Sequence, residues 1–526
     1  MAVSFDLLER PWLPCIDDQN RLINLNLVEA IIQAHRLTEI RSDLPVITGS
    51  LYLFLIAYVM NIFRPETDNE WEALWQLGKF PSDQLDTYNQ DWGDRFDLFD
   101  PKHPFYQDPK FGTREKDKKN LKKGKQPEPK GFSGFLLHLA SGNNATLFDH
   151  SLDSLPETYS AAEAVQLLIM LQAYSLGGMS SASIAKDRYY KDSAFGRGIL
   201  FLNKGQNLFE TLMLNILSKT FDSFSNEEDM PCWEKDDLHG FERYSPEGIL
   251  DLLTWQSRRI LLLPKPNPDE IAVQLMLSAP GQSFVETFSN PFFHNRITTS
   301  GKKQSIKPLR FQIGRSLWRD STAILNVNTP DTENPIPVKW TAHLQSADIL
   351  EKQIVQLDLY GMCTQPGQKK AYFYDNETFT APAAYLEDRE LLEQLENGLT
   401  WAEQVRSDLY IAVRELARFI VVPMHDLEGI RTPGRDDTDP LMQHWNAEHH
   451  YWHALEPAFY EYLLSLPESE SAHDAWENAI RQSAWDALNF AANQVGTDPV
   501  CLKAKAKAER SLGFLLYRTF NPEGKE

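Results

Sequence analysis

The apolar stretch LPVITGSLYLFLIAYVMNIF, residues 44–63, decides between two classes of protein. It is long and apolar enough for a transmembrane helix, which needs about 20 residues. It also contains Thr48, Gly49, Ser50 and Asn61, and no second segment of this kind occurs in the sequence. We therefore expect a core helix that is buried on all sides in a large domain, and no membrane partner.

The composition around this stretch is that of a large folded protein. The 526 residues are 42% hydrophobic and 11% aromatic, which excludes global disorder and is enough for two to four domains. The formal net charge is −22. Phosphate repulsion therefore excludes a protein that coats nucleic acid non-specifically, and any such contact must come from local basic patches.

The cysteines indicate the cellular compartment. Cys15, Cys232, Cys363 and Cys501 lie far apart and form no CxxC pair, so we expect neither a structural zinc site nor disulfides. The N-terminus has no basic region followed by an apolar one, as a signal peptide would. Both features are typical of a cytoplasmic protein.

The chain changes character near residue 378. Before that point, short strand-like runs such as ILLLP alternate with helical patterns. One helix is entered through Ser160, with Glu163 at capping-box spacing, and is expected to end at Gly177 and Gly178. After residue 378 the sequence reads as nearly continuous helix, and Asp439 and Asp498, each followed by proline, are expected N-caps.

Four apolar stripes at helical spacing follow in this second region. They are Leu409, Val413, Leu416 and Ile420; Trp452, Leu455, Phe459 and Tyr462; Ile480, Ala484, Ala487 and Ala491; and Ala508, Leu512, Leu515 and Phe520. Long amphipathic helices with short links predict an antiparallel bundle. The expected fold is therefore α+β, with a mixed α/β domain over residues 1–378 and a C-terminal four-helix bundle over residues 379–526.

Two basic segments interrupt the acidic chain. Residues 110–130, KFGTREKDKKNLKKGKQPEPK, carry nine Lys and Arg against three acids, a net charge of +6. This composition predicts a mobile, unpacked loop, which is either a polyanion-binding arm or an insertion that binds nothing. Its candidate phosphate contacts are Lys116, Lys118, Lys119, Lys122 and Lys123.

The second basic segment opens the last predicted helix. Lys503, Lys507 and Arg510 share one face of CLKAKAKAERSLG. Such a stripe either follows a phosphate backbone or is a solvated helix face.

Catalytic motifs are absent from the sequence. It has no GxxxxGK[ST], HExxH or GxSxG motif, and no GxGxxG follows a strand. The segment AEHHYWHALEP places His449 and His453 four residues apart, where they share a helix face and are able to bind one metal ion. No third ligand is identifiable, so a polar helix face is the favoured interpretation, and we expect no enzyme activity, metal or cofactor. The alternative is a stand-alone metal-dependent hydrolase that uses this histidine cluster.

Several short segments together resemble a known family. They are FDLLERPWLPC, FDLFDPKHPFYQ, SGNNATLFDH, GRGILFLNKGQNLFETLMLNIL and EHHYWHALEP. In this order and spacing the sequence resembles the CasA family, the large subunit of the type I-E CRISPR surveillance complex Cascade. The resemblance implies a non-catalytic protein of antiviral defence that contacts CRISPR RNA and other Cascade subunits. It also implies recognition of the protospacer-adjacent motif (PAM) in double-stranded target DNA, promotion of R-loop formation, and recruitment of a helicase–nuclease.

The same resemblance implies roles for single residues. The family's glycine loop, which lies against the minor groove, falls on Gly177 and Gly178, and its wedge glutamine falls on Gln365 or Gln368. The minor-groove lysine of some members is absent, which leaves Gln282 as a substitute donor, and the zinc-binding cysteines of some members are also absent. The expected contacts to the RNA handle are Asn143, Asn144, Thr146 and Phe148.

Overall fold

A computed structural model gives the architecture. It describes residues 3–121, 126–136, 156–179, 182–184, 189–240, 242–266, 271–285, 288–300, 303–326, 332–350, 353–364, 371–421 and 433–521. Residue contacts divide the chain into two compact units. The first comprises Met1–Arg315 and Val327–Thr380, and the second comprises Ser316–Asn326 and Ala381–Glu526.

The strands are short and mostly lie in the first unit. They are β1 (Leu13–Asp17), β2 (Leu22–Leu25), β3 (Leu37–Ile40), β4 (Tyr159–Ser160), β5 (Gly178–Met179), β6 (Tyr189–Tyr190), β7 (Leu200–Asn203), β8 (Arg258–Pro266), β9 (Ile271–Pro280), β10 (Asn295–Ser300), β11 (Lys303–Pro308), β12 (Thr332–Glu333), β13 (Ile354–Thr364) and β14 (Ala371–Pro382).

The helices extend over both units. They are α1 (Leu27–Ile32), α2 (Pro45–Phe63), α3 (Asp68–Leu77), α4 (Ser82–Trp92), α5 (Glu115–Asn120), α6 (Ala161–Ala173), α7 (Leu208–Met213), α8 (Ile249–Leu253), α9 (Ser321–Leu325), α10 (Ile336–Ser346), α11 (Arg389–Val421), α12 (Arg435–Trp445), α13 (Ala447–Ser465), α14 (Ala472–Asn493) and α15 (Pro499–Phe520).

Helix α2 forms the centre of the first unit. Among the described residues it is the one helix long and apolar enough to cross a membrane, and 89% of its most apolar 18-residue stretch is buried inside the protein. The centre of the Phe54 ring lies 5.8 Å from that of Trp12, 5.5 Å from that of Phe105 and 5.6 Å from that of Trp233. A helix that is apolar all round is stable in water only when other elements cover every side. The prediction of a buried core helix is confirmed.

The strands of the first unit form several small sheets, and β3 and β13 contact α2. The strand orders of these sheets are β2-β1-β3, β4-β9-β8, β14-β13-β7 and β11-β10-β12, with β5 and β6 as a separate pair. The β8–β9 ladder continues from Arg258 opposite Pro280 to Pro266 opposite Ile271. This ladder supports the basic surface described below.

Helix α6 begins as predicted and ends early. Ser160 and Glu163 form the expected capping box. The helix ends at Ala173, before Gly177, because the backbone N–H of Phe195 and the hydroxyl of Ser193 both donate to the Ala173 carbonyl. These bonds replace the helical hydrogen bonds that would extend α6.

The second unit is helical, so the mixed α/β fold with a C-terminal helical region is confirmed. Helix α11 packs against α14 and α15, and α13 packs against α14. The predicted stripes are buried at most positions. Ile420, Leu515 and Phe520 are only partly buried, and Leu516 takes the buried position next to Leu515 on α15. Asp498 caps α15 as expected, but Asp439 is no cap because α12 already begins at Arg435 and contains Pro440.

The second unit also contains a segment that the sequence places in the first domain. Within Ser316–Asn326, Trp318 is 1% exposed. Its ring stacks on Phe459 at 4.5 Å and meets the edge of Trp452 at 5.6 Å. The helical unit is therefore assembled from two separate pieces of chain.

Candidate nucleic-acid interface

Part of the basic segment is folded rather than loose. Residues 115–120 form α5, with Asp117 on its inner side at 1% exposure. Lys116, Lys118 and Lys119 are exposed on the same helix. The expectation of an unpacked segment is wrong for this part, because a buried carboxylate holds the helix against the first unit.

Arg259 of β8 is the partner of that carboxylate. Its Nη1 and Nη2 donate to the two oxygens of Asp117 at 2.7 and 2.5 Å, and its Nε donates to Asp108 at 2.9 Å. Arg114 donates to both oxygens of Asp108 at 2.6 Å and to Asp237 at 2.7 Å. The side chains of Asp108, Asp117 and Arg259 are at most 7% exposed. We call Asp108, Arg114, Asp117 and Arg259 the ionic anchor.

Neighbouring charges and burial shift the pKa values of two groups, Asp108 in the ionic anchor and His239 beside it. Burial raises the pKa of Asp108, but the hydrogen bond from Arg114 and the charges of Arg114, Arg259 and, once it is protonated, His239 outweigh burial. The pKa of Asp108 therefore lies below its usual range. Burial lowers the pKa of the neighbouring His239 to about 4, so its imidazole is neutral at physiological pH. A buried charge is tolerated only with its partners in place.

Surface ion pairs lie along the outer face of α5. Lys116 lies 3.0 Å from Glu242, and Lys118 lies 3.0 Å from Glu115, with all four side chains more than half exposed. Exposed pairs contribute about 0–1 kcal/mol. These ammonium groups can therefore exchange a carboxylate for a phosphate at little cost. Lys122 and Lys123 lie outside the described residues.

The glycine loop packs closely against the first unit's own backbone. The amide of Gly177 donates to Asp192 at 2.6 Å. A Cβ on Gly177 would lie 2.8 Å from the carbonyl oxygen of Tyr190 and 2.9 Å from the amide of Asp192. Gly178 pairs with Tyr190 in the β5–β6 ladder and has φ +143°, which disfavours any side chain. Packing and backbone conformation within the first unit therefore already explain both glycines. Contact of this loop with the DNA minor groove stays a prediction.

The structure does not support Gln282 as a minor-groove donor. The residue is 5% exposed. Its Nε2 donates to the carbonyl of Leu238 at 2.7 Å, and its Oε1 accepts from the amide of Arg243 at 2.7 Å. The side chain would have to leave both internal partners to reach a base edge, which costs free energy.

The predicted stripe on α15 is exposed as expected. Lys503, Lys507 and Arg510 point away from the buried Ala504 and Ala508. The Nζ of Lys507 lies 4.9 Å from the centre of the Phe419 ring, a cation–π contact. The remaining predicted contacts lie outside the described residues; they are Asn143, Asn144, Thr146, Phe148, Gln365 and Gln368.

The ionic anchor is the part of the site that sequence analysis missed. One signal was available, because Arg258 and Arg259 open the apolar strand RRILLLP. A charged residue in a buried strand requires a partner of opposite charge. Asp117, a carboxylate among lysines, was the matching signal in the basic segment.

The histidine cluster lies on α13 in the second unit. His449 and His453 are exposed, and their parallel rings have centroids 6.4 Å apart. In the part of the chain that the structure describes, no three His, Cys, Asp or Glu side chains are grouped so that they hold a metal ion.

These features define an α+β protein with a helical second unit and an anchored basic helix. The sequence profile of the CRISPR-associated protein Cse1 family matches residues 6–487, and the chain belongs to this family. The CRISPR-associated protein CasA/Cse1 of Thermus thermophilus is 30% identical over 98% of this chain and 97% of that protein. The motif-based resemblance is therefore confirmed at the level of the family.

Solved structures share the fold. The Cse1 structure from Acidimicrobium ferrooxidans matches with a TM-score of 0.81 and 22% identity, covering 99% of both chains. A chain of a structure described as a CRISPR RNA-guided surveillance complex matches with a TM-score of 0.72 and 22% identity, covering 97% of this chain and 99% of that chain.

Proposed function

We propose that the chain is the non-catalytic large subunit of a cytoplasmic type I-E Cascade complex. In this role it contacts CRISPR RNA and the other subunits and recognises the PAM in double-stranded DNA. It then promotes duplex opening and R-loop formation and recruits the helicase–nuclease. Guide pairing reads the target sequence, so the protein needs to read only a short duplex tag. A minor-groove reader distinguishes few base pairs, which predicts tolerance of several PAM sequences.

The observation that carries the DNA contact is the anchored helix α5. A protein with a net charge of −22 repels DNA unless it concentrates positive charge locally. Helix α5 does so with Lys116, Lys118 and Lys119 outward and Asp117 inward on Arg259. The ionic anchor fixes where these charges stand, and the weak surface pairs leave them available to phosphates.

Salt titration of the assembled complex tests this contact. Replacing Lys116, Lys118 and Lys119 by Ala should weaken duplex capture and flatten the log–log salt dependence of binding by close to one unit per lost phosphate contact. The thermal stability should not change, because the three side chains are exposed. A matched control replaces the exposed Lys79, Lys219 and Lys265 of the same unit. An unchanged slope in the α5 variant would remove α5 from the interface.

The glycine loop is tested by a pair of substitutions. Gly178→Asp should abolish PAM-dependent binding through steric clash and phosphate repulsion. Gly78→Asp is the control, because Gly78 has φ +69° and no heavy atom within 4 Å of its added Cβ, so it reports backbone strain alone. Retained PAM discrimination in Gly178→Asp would refute the placement of the loop.

The wedge acts one step later. Gln365→Ala and Gln368→Ala should slow R-loop formation on matched duplexes more than they weaken the first PAM contact, since opening a base step costs a few kcal/mol. Stopped-flow R-loop kinetics on PAM-matched and PAM-mutated DNA separates the two steps. Equal rates in both variants and the wild type would exclude a glutamine wedge at these positions.

A further inference from the structure

An open cavity of about 190 Å³ lies in the second unit, where α12, α13 and α14 meet. It is smaller than the pockets of about 300–1,000 Å³ that hold drug-sized ligands. Its wall consists of His444, Trp445, Asn446, His449, His450, His453, Phe490 and Gln494. Neither the proposed PAM contact nor the RNA-handle contact uses any of these residues.

Helix ends and one hydrogen bond fix the positions of the residues that line this cavity. Asn446, at φ +50°, ends α12 and begins α13, so one left-handed residue turns the chain between His444 and His449. Gln494 follows α14 and donates through Nε2 to the carbonyl of Trp445 at 3.3 Å. Trp445 is 4% exposed and lines the cavity. The cavity is therefore built by three helices rather than by a loose loop.

The described wall is aromatic and amide-rich. Among the residues that the structure describes, no Asp or Glu lines this cavity. The rings of His450 and Phe490 lie parallel, with an interplanar angle of 1° and a centroid distance of 4.5 Å, and Phe490 is 43% exposed. Parallel rings at an open cavity offer a platform on which another flat ring can stack.

A metal ion fits the wall less well. Three or more suitable ligands are not grouped anywhere in the described residues, and the His449 and His453 rings stand 6.4 Å apart. Amide side chains such as Asn446 and Gln494 instead match the hydrogen-bonding edge of a nucleobase, which carries both donors and acceptors.

We propose that this cavity, here called the histidine pocket, holds one unpaired nucleobase of a single-stranded nucleic acid. The base stacks on the His450–Phe490 platform, and the neighbouring imidazoles and amides hydrogen-bond its edge. This inference rests on the proposed function, because a complex that opens duplexes exposes unpaired bases. A DNA strand and an RNA strand offer the same chemistry, so both are probed.

The test uses the purified full-length chain with fluorescent oligothymidine and oligouridine. Phe490→Leu keeps an apolar side chain but removes the flat ring, and should weaken binding about 5- to 150-fold, the range expected for one lost base stack. Phe490→Trp should bind within about twofold of the wild type, because the ring is retained. Phe514→Leu is the matched control, since Phe514 is 64% exposed and does not line the pocket.

Photo-crosslinking adds a second readout. Oligonucleotides with 5-iodouracil should crosslink to peptides that contain residues 444–453 or Phe490, as mapped by mass spectrometry. A loss of affinity in Phe490→Leu with DNA, with RNA or with both supports the pocket and identifies the strand it takes. Equal affinities of Phe490→Leu and the wild type overturn the proposal. Binding that requires added Zn²⁺ and is lost in His449→Ala also overturns it in favour of a metal site.

Failure of this proposal is separable from failure of the proposed function. Duplex capture by the assembled complex depends on α5 and the glycine loop, whereas the pocket experiment measures single strands on the isolated chain. A Phe490→Leu complex that still captures PAM-containing duplex shows that only the pocket assignment is at stake. A wild-type complex that captures no duplex refutes the proposed function whatever the pocket binds.

Discussion

Helices α5 and α15 both present lysines to solvent, but different interactions hold the two helices in place. Helix α5 has six residues and is held by the buried ion pairs of Asp117 and Arg259. Helix α15 has 22 residues and packs on α11 through an apolar stripe that contains Ala508 and Leu512. Both helices carry exposed lysines, but α5 is held by buried ion pairs and α15 by buried apolar side chains.

Helix length explains this difference. A helix of six residues cannot be stable alone, because nucleation is not repaid over so few hydrogen bonds, so α5 requires a strong tertiary contact. The long amphipathic α15 gains its contact along several turns. A basic surface can therefore be built in either way, and the two ways respond differently to mutation and to pH.

The largest expected effect is on the ionic anchor. Arg259→Leu leaves Asp108 and Asp117 buried with an incomplete set of partners, and should destabilise the first unit by about 3–5 kcal/mol. Chemical unfolding followed by tryptophan fluorescence measures this loss. Arg389→Leu is the control, because Arg389 is 91% exposed beside Glu393 and should cost less than about 1 kcal/mol.

A double variant sharpens the interpretation. Adding Asp117→Leu to Arg259→Leu removes the uncompensated charge and should recover part of the loss, since an apolar pair can replace a buried ion pair. If Arg259→Leu alone costs no more than its exposed control, the buried ion pairs do not hold α5, and the contrast with α15 disappears.

For α15, the substitution that corresponds to Arg259→Leu is Leu512→Ala. Leu512 is fully buried on α15, so the substitution should cost about 2–4 kcal/mol through lost burial and a cavity. The cost should be the same at pH 5 and pH 7, because no charge is involved. A cost that changes with pH would show that ionised groups also hold α15.

Acid should loosen α5 and not α15. The pKa of His239 is about 4 in the folded protein and about 6.5 when unfolded, so the unfolded state binds more protons between these values. This stability is fully present above about pH 6.5 and is lost as the pH falls toward 4. The lowered pKa of Asp108 extends the loss to still lower pH, because its stabilising effect disappears as the carboxylate is protonated.

The expected loss between pH 7 and pH 5 is roughly 1–2 kcal/mol, a value discounted for the partial exposure of His239. Hydrogen exchange of the α5 amides across this range measures it. His239→Gln should flatten the pH dependence, whereas His444→Gln, at an exposed position on α12, should not. A pH dependence that survives His239→Gln would assign the effect to other groups.

The smallest effect concerns the surface pair of α5. Lys116→Ala removes its contact with Glu242 and should change the unfolding free energy by less than about 1 kcal/mol, since both side chains are more than half exposed. The unfolding midpoint in low and high salt tests this. A larger and salt-independent loss would mean that the lysine supports the fold instead of serving as a free surface charge.

Much of the fold was predictable because it depends on local patterns. The apolar periods predicted α11, α13, α14 and α15, and the composition of residues 44–63 predicted α2 as a buried helix. The start of α12 was expected too late, at Pro440, because a proline after Asp439 is typical of a first helical turn, whereas the helix begins at Arg435. The segment around Trp318 was misplaced because its partners, Trp452 and Phe459, lie far along the chain.

The candidate site was less predictable, for a similar reason. Net charge showed that residues 110–130 are basic, but the pairing of Asp117 with Arg259 joins residues 142 positions apart. Gln282 had the right chemistry for a donor, yet burial assigned its amide to Leu238 and Arg243. Charge and composition give the character of a surface, whereas the side chains that support it depend on non-local contacts.

The segment Ser316–Asn326 has a consequence for how the protein is made. It leaves the ribosome well before α11 and α13, whose side chains contact it. Until they are synthesised, Trp318 has neither Trp452 nor Phe459 to pack on, and Arg319 lacks the carboxylate of Glu403. Biosynthesis thus passes through a stage in which an aromatic residue of the later core is uncovered, and this stage ends only when the C-terminal helices emerge from the exit tunnel.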